Sequence, residues 1–152
     1  MESPGPAHVL VVAHRTAATP ALLDAIRERA ARGSARFHLL VPNPFLADWH
    51  PIHTERHEEA HLKQAQDVLE LALPLYDEAA GGTVDGSVSI RHDPMDAIEE
   101  ALGSGRYDEI ILSTLPHKVS AWLHMDLPHR VAHLGLPVTT VTARSRDEAP
   151  TA

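Results

Sequence analysis

The sequence predicts an α/β protein: a three-layer α/β/α sandwich with an open five-stranded parallel sheet. Three observations lead there. Five short β-branched or apolar runs alternate with four stretches whose apolar residues recur at helical spacing, the pattern of strands joined by crossover helices. Ile110 to Leu112 is an apolar run too short for a helix and bounded by polar residues, as expected of a strand buried on both faces. From Tyr107 to Thr142 the order is strand, polar loop, helix, strand, which is one right-handed crossover unit.

In chain order, His8 to His14 carries the first β-branched run. Thr19 and Pro20 follow as cap and first helical residue, with Leu22, Leu23, Ile26 and Ala30 on one helical face and Gly33 as the stop. Arg36 to Val41 is the second strand, closed by Pro42 and Pro44. Residues 45–53 are a connection holding Phe45 and Trp49, expected to fold over the sheet end. A long helix is expected over 54–80, with Leu62, Ala65, Leu69 and Leu73 inward, a kink or break at Pro74, and Gly81 and Gly82 as its end. Val84 to Arg91 is a weaker strand interrupted by Asp85 and Gly86 and is placed at an edge. Asp93 and Pro94 repeat the cap-then-proline start, with Ile98 and Leu102 buried. Ser120 to Leu134 reads as one helix and Val138 to Val141 as the last strand. The expected domain is 1–144, with a disordered polar tail over 145–152.

A chain of 152 residues, 43% hydrophobic and 22% charged, has the composition of a soluble single domain. No apolar run approaches the roughly 18 residues that span a bilayer, and residues 1–8 lack the pattern of a secretory signal. The absence of cysteine removes disulfide and thiol chemistry and is compatible with the cytoplasm. A formal charge of −8 argues against nucleic acid and anionic membrane as partners. Twelve histidines make that charge sensitive to mild acid.

Four segments together resemble the universal stress protein family over nearly the whole chain. They are Val9-Leu-Val-Val-Ala-His-Arg-Thr16 before a helix, a strand ending in a proline-rich loop before a long helix, His92-Asp-Pro-Met-Asp-Ala-Ile98, and Tyr107-Asp-Glu-Ile-Ile-Leu-Ser113 with Gly135-Leu-Pro-Val-Thr-Thr-Val141 closing the chain. The resemblance implies a Rossmann-like sheet in the order 3-2-1-4-5, membership in stress responses, dimer formation, and a family in which only some members bind ATP. ATP-binding members carry G-x-x-G after the fourth strand and then, nine residues on, Gly followed by Ser or Thr. Here Ser113-Thr-Leu-Pro-His-Lys-Val-Ser-Ala-Trp122 has no glycine, Pro116 removes an amide donor, and Met125-Asp-Leu-Pro128 puts a carboxylate where the Gly-Ser pair would be. The family's Asp at the end of the first strand is His14. The expectation is therefore a degenerate nucleotide-type crevice that does not hold ATP in the family's manner and has no turnover of its own. No cofactor is expected; ATP and AMP are the ones to test.

Ligands of open parallel sheets bind beyond the carboxyl ends of the strands. The candidate ligand-binding set is accordingly His14, Arg15 and Thr16 after the first strand, Val41 and Pro42 after the second, and Ser113, Thr114, His117, Lys118 and Ser120 after the fourth. These offer side-chain contacts to a small anionic or nucleoside-like ligand, AMP or ATP included. The competing structural reading makes Ser113 and Thr114 caps and the charged groups solvated. A serine hydrolase built on Ser113 with His14 or His117 is a further reading, but no motif marks any catalytic residue. His53, His57 and His61 recur one turn apart, with His50 and Glu58 near, and His129 and His133 repeat the spacing. A histidine-mediated metal site is thus an alternative on the same scaffold, set against ordinary solvated histidines, and no residue is assigned as a ligand. Trp122, Val119 and Leu123 read as helix packing rather than as a base-stacking surface. The last strand (Val138, Thr139, Thr140, Val141, Thr142) is β-branched, lacks the lysines that blunt an edge, and is expected to pair with its own copy in a homodimer.

Overall fold

The computed structural model describes residues 5–42, 55–91, 93–116 and 121–143, with only the backbone of 55–59, 61, 121 and 124. Its elements are β1 (Ala7–Val12), α1 (Pro20–Arg32), β2 (Ala35–Val41), α2 (Glu55–Ala80), β3 (Asp85–Val88), α3 (Pro94–Ser104), β4 (Glu109–Thr114), α4 (Ala121–His124), α5 (Leu127–Ala132) and β5 (Val138–Thr142). The five strands form one sheet in the order β3-β2-β1-β4-β5, and the pairs β1–β2, β1–β4, β2–β3 and β4–β5 are all parallel. The fold class and the strand order agree with the expectation.

β1 is central and covered on both faces: Val9, Leu10, Val11 and Val12 are all fully buried. Because strand side chains alternate, Val9 and Val11 join one core with Leu22 and Ile26 of α1 and Ala65, Ala72 and Tyr76 of α2. Leu10 and Val12 join the other, with Met95 and Ile98 of α3, Trp122, and Leu127 and Val131 of α5. Trp122 is thus a packing residue. The ion pair between Arg29 Nε and Glu109 Oε1, 2.7 Å long and largely buried, ties α1 to the start of β4.

Four local expectations are corrected. Thr19 occupies the cap position of α1, but its side chain makes no cap bond and Oγ1 donates instead to the Thr16 carbonyl at 2.9 Å. The break allowed for at Pro74 does not occur: α2 runs its full span with Pro74 inside it. Pro74 faces solvent, where water can serve the carbonyl it leaves unbonded, while Ala72, Tyr76 and Ala79 anchor the far side of the helix. β3 is shorter than the expected 84–91, and Asp85 and Gly86 belong to it. A Cβ on Gly86 would meet Leu69 Cδ1 at 2.4 Å, so glycine there lets α2 settle on the sheet edge. The expected helix over 120–134 is two short helices, parted at Asp126 (φ 57°, ψ 35°). Pro128 is tolerated only in the first turn of a helix, which obliges a new one to begin at Leu127. Asp93 caps α3 as expected, its Oδ1 accepting from the Met95 amide at 2.8 Å. The expected tail over 145–152 and the connection over 45–53 lie outside the described residues.

Candidate functional site

The strand order reverses between β1 and β4, and at their carboxyl ends the chains diverge toward opposite faces of the sheet. After β1 the backbone turns tightly: the Ala17 amide bonds to the His14 carbonyl at 3.1 Å and the Thr19 amide to the Thr16 carbonyl at 3.2 Å. This coil keeps His14 and Thr16 buried, at 6% and 2% exposure, and leaves Arg15 at the surface. β4 reaches the same level with Ser113 and Thr114, 1% and 2% exposed. Thr16 Oγ1 and Ser113 Oγ lie 2.6 Å apart in a buried hydrogen bond across the switch point.

Ser113 and Thr114 point to opposite faces by strand alternation. Ser113 engages Thr16 below the start of α1, whereas Thr114 shares its face with Leu112, on the side of α3 and α5. Among the described residues Thr114 Oγ1 is buried without a hydrogen-bond partner. A buried hydroxyl left unpaired costs about 1–3 kcal/mol, so Thr114 is a natural point for a ligand or loop group to bind. The Thr114 carbonyl accepts from the Ala143 amide at 2.9 Å, which brings the end of β5 to the same rim.

Val41 and Pro42 close β2 and are buried at this rim as hydrophobic wall. His117, Lys118 and Ser120, expected to complete the set, lie outside the described residues. The structure therefore brings Thr16 and Ser113 into contact and sets Thr114 beside them on the next strand position. Ser89, buried at the end of β3, was not singled out from the sequence. Its amide donates to the Val41 carbonyl at 3.0 Å and its Oγ accepts from the Arg91 amide at 3.1 Å. Asp93, read as a cap, also lies 3.5 Å from the Arg130 guanidinium, joining the start of α3 to α5.

Of the histidine stripe, His50 and His53, and the side chains of His57, His61 and Glu58, lie outside the described residues. Among the described residues no three histidine or carboxylate side chains converge as a metal would require. A cavity of about 620 Å³ opens at the opposite rim, between Pro6, His8, Ser34, Arg106 and Asp108. The carboxylate of Asp108 is engaged there, accepting from the His8 amide at 2.8 Å. That cavity lies at the amino ends of the strands, where open parallel sheets do not place their ligands.

The sequence matches no protein-family model, and no curated protein sequence matches it. Solved structures do match. The universal stress protein from Archaeoglobus fulgidus aligns with a TM-score of 0.63 at 13% identity, covering 90% of this chain and 94% of that one. A universal stress protein in complex with cAMP gives 0.54 at 17% identity over 93% and 100% of the two chains. A universal stress protein family protein from Arabidopsis thaliana with AMP bound gives 0.55 at 17% identity over 96% and 97%. At such identities the likeness is one of fold, and the fold is that of universal stress proteins. No described helix is long and apolar enough to cross a membrane.

Proposed function

We propose that this chain is a non-catalytic regulatory domain of the universal stress protein kind. Its crevice takes an adenine mononucleotide or nucleoside through side chains and does not grip a triphosphate through backbone amides. The observation that carries this reading is the run of buried hydroxyls at the switch point: Thr16 bonded to Ser113 at 2.6 Å on one face of β4, and Thr114 Oγ1 at the next position, buried on the other face and without a partner among the described residues. Structures of the same fold hold AMP and cAMP, which makes a mononucleotide the first ligand to test. Against a triphosphate stand the glycine-free stretch from Ser113 to Trp122 and the missing amide of Pro116, since close backbone approach is what a polyphosphate needs. The reading assigns no turnover, since no sequence motif marks a catalytic residue.

A second copy of the chain is the partner this reading takes, joined along β5, where Thr139, Thr140 and Thr142 are exposed at the edge of the sheet. A cytoplasmic stress-response role goes with the same proposal. Calorimetric titration with adenosine, AMP and ATP tests the ligand. AMP or adenosine is expected to bind with ATP no tighter; ATP bound tenfold more tightly than AMP would overturn the reading. Loss of AMP binding in Thr114→Val, with the fold intact, would support it.

A further inference from the structure

We propose that His129 and His133 form a two-imidazole chelate for a zinc-class divalent cation on the surface of α5. This does not rest on the nucleotide reading: it concerns a different helix and different atoms. The two residues are four apart, and His133 follows α5 in helical conformation (φ −73°, ψ −8°), so both rings rise from one face a turn apart. Their centroids are 4.5 Å apart and their planes inclined by 42°. Both rings are exposed, so nothing in the core requires histidine at either place.

The second observation concerns the other nitrogen of each ring. His129 Nδ1 lies 3.2 Å from Asp126 Oδ2, and His133 Nδ1 lies 2.8 Å from the His129 carbonyl oxygen. An acceptor at Nδ1 holds the proton there and leaves the lone pair on Nε2. Protein metal sites orient their histidines in this way, with a carboxylate or backbone carbonyl on the far nitrogen, and here one ring has each kind. Helix capping accounts for the His133 bond, and the His129–Asp126 contact is an i, i+3 pair across the first turn of α5 that also fixes the ring of His129.

The scaffold beneath is firm. Leu127 and Val131 are fully buried under α5, and Arg130 is tied to Asp93 at the start of α3. Two nitrogens about 2 Å from one tetrahedral ion stand about 3 Å apart, which suits ring centroids 4.5 Å apart. Water fills the remaining positions. Imidazole nitrogen selects zinc, nickel or copper(II) over magnesium or calcium, and a chain of net charge −8 favours cations in general.

Zinc titration of the full chain against a competing chromophoric chelator provides the test. It compares wild type with His129→Gln/His133→Gln, His57→Gln/His61→Gln and Asp126→Asn. The first double variant is expected to lose one zinc equivalent and the second to keep that equivalent, while Asp126→Asn weakens it about tenfold. Imidazole ¹H–¹⁵N spectra should show the Nε2 signals of His129 and His133 moving with the first zinc added. Far-ultraviolet circular dichroism confirms that the variants fold. No zinc bound by wild type, or the same equivalents and affinity after removing both His129 and His133, overturns the proposal.

Discussion

Thr16 Oγ1 and Ser113 Oγ, 97 positions apart in the chain, meet at 2.6 Å in the buried seam where the sheet reverses its strand order. Either hydroxyl can be the donor. The bond joins the coil after β1 to the end of β4, so it ties the core together across the switch point.

Breaking this bond from one side leaves the other hydroxyl buried and unpaired. Thr16→Val and Ser113→Ala are each expected to lower the unfolding free energy by about 1–3 kcal/mol. The double variant should cost less than the sum of the two, because no orphaned hydroxyl remains. Urea unfolding of the three variants checks this; strict additivity would show that the two groups are not coupled.

Gly86 is expected to resist the smallest enlargement. An alanine Cβ would stand 2.4 Å from Leu69 Cδ1, 3.1 Å from Leu73 Cδ2 and 3.2 Å from the Leu39 carbonyl oxygen. The leucine tips can yield, yet α2 then loses its fit on the sheet, at about 1–3 kcal/mol. Gly82→Ala, with nothing within 4 Å of the new atom, is the matched control and should change stability little. Equal melting temperatures for the two variants would show that α2 gives way freely.

Tyr76 is fully buried in α2, and its hydroxyl has no hydrogen-bond partner among the described residues. Burial drives its pKa upward from the ordinary tyrosine value, so the phenol stays neutral. Tyr76→Phe keeps the ring and removes the unpaired oxygen, so stability should be unchanged or raised by about 1 kcal/mol. A loss beyond that in chemical denaturation would reveal a partner for the phenol.

His38 sets a pH dependence. Its Nε2 lies 2.8 Å from Ser87 Oγ, and burial holds its pKa below the ordinary 6.5, with the charge of Asp85 pulling the other way. Between the lowered value and 6.5 the unfolded chain binds more protons than the folded one. The stability contributed by the neutral ring is therefore present above pH 6.5 and lost as pH falls through the lowered value. His38→Gln, which can still bond Ser87, should show a smaller loss of stability between about pH 7 and about pH 5. Identical profiles in both proteins would remove His38 from the acid response.

The strands were legible because Val9 to Val12 and Ile110 to Leu112 are buried on both faces, which makes each an unbroken apolar run. Their carboxyl ends, where Thr16, Ser113 and Thr114 stand, followed from that placement. What the sequence concealed depends on contacts between distant segments. Pro74 looks like a break until Tyr76 and Ala79 are seen anchoring the far side of α2. Gly86 looks like a weakness in β3 until Leu69 is seen occupying the space of its missing side chain. Asp126 interrupts an apolar spacing that itself runs unbroken through Trp122, Leu127 and Val131. In the crevice, each hydroxyl could be named, but pairing Thr16 with Ser113 while Thr114 points away needed the register of β1 against β4.

Parallel strands put the two ends of the sheet's chain path on opposite rims. β1 enters at Ala7, far from the crevice, whereas the backbone leaves β5 at Ala143 with its amide held by the Thr114 carbonyl. A fluorophore attached at Ala143 itself therefore sits beside Thr114, at the rim where the proposal places its ligand. The same label placed before Ala7 reports on the protein without crowding that rim.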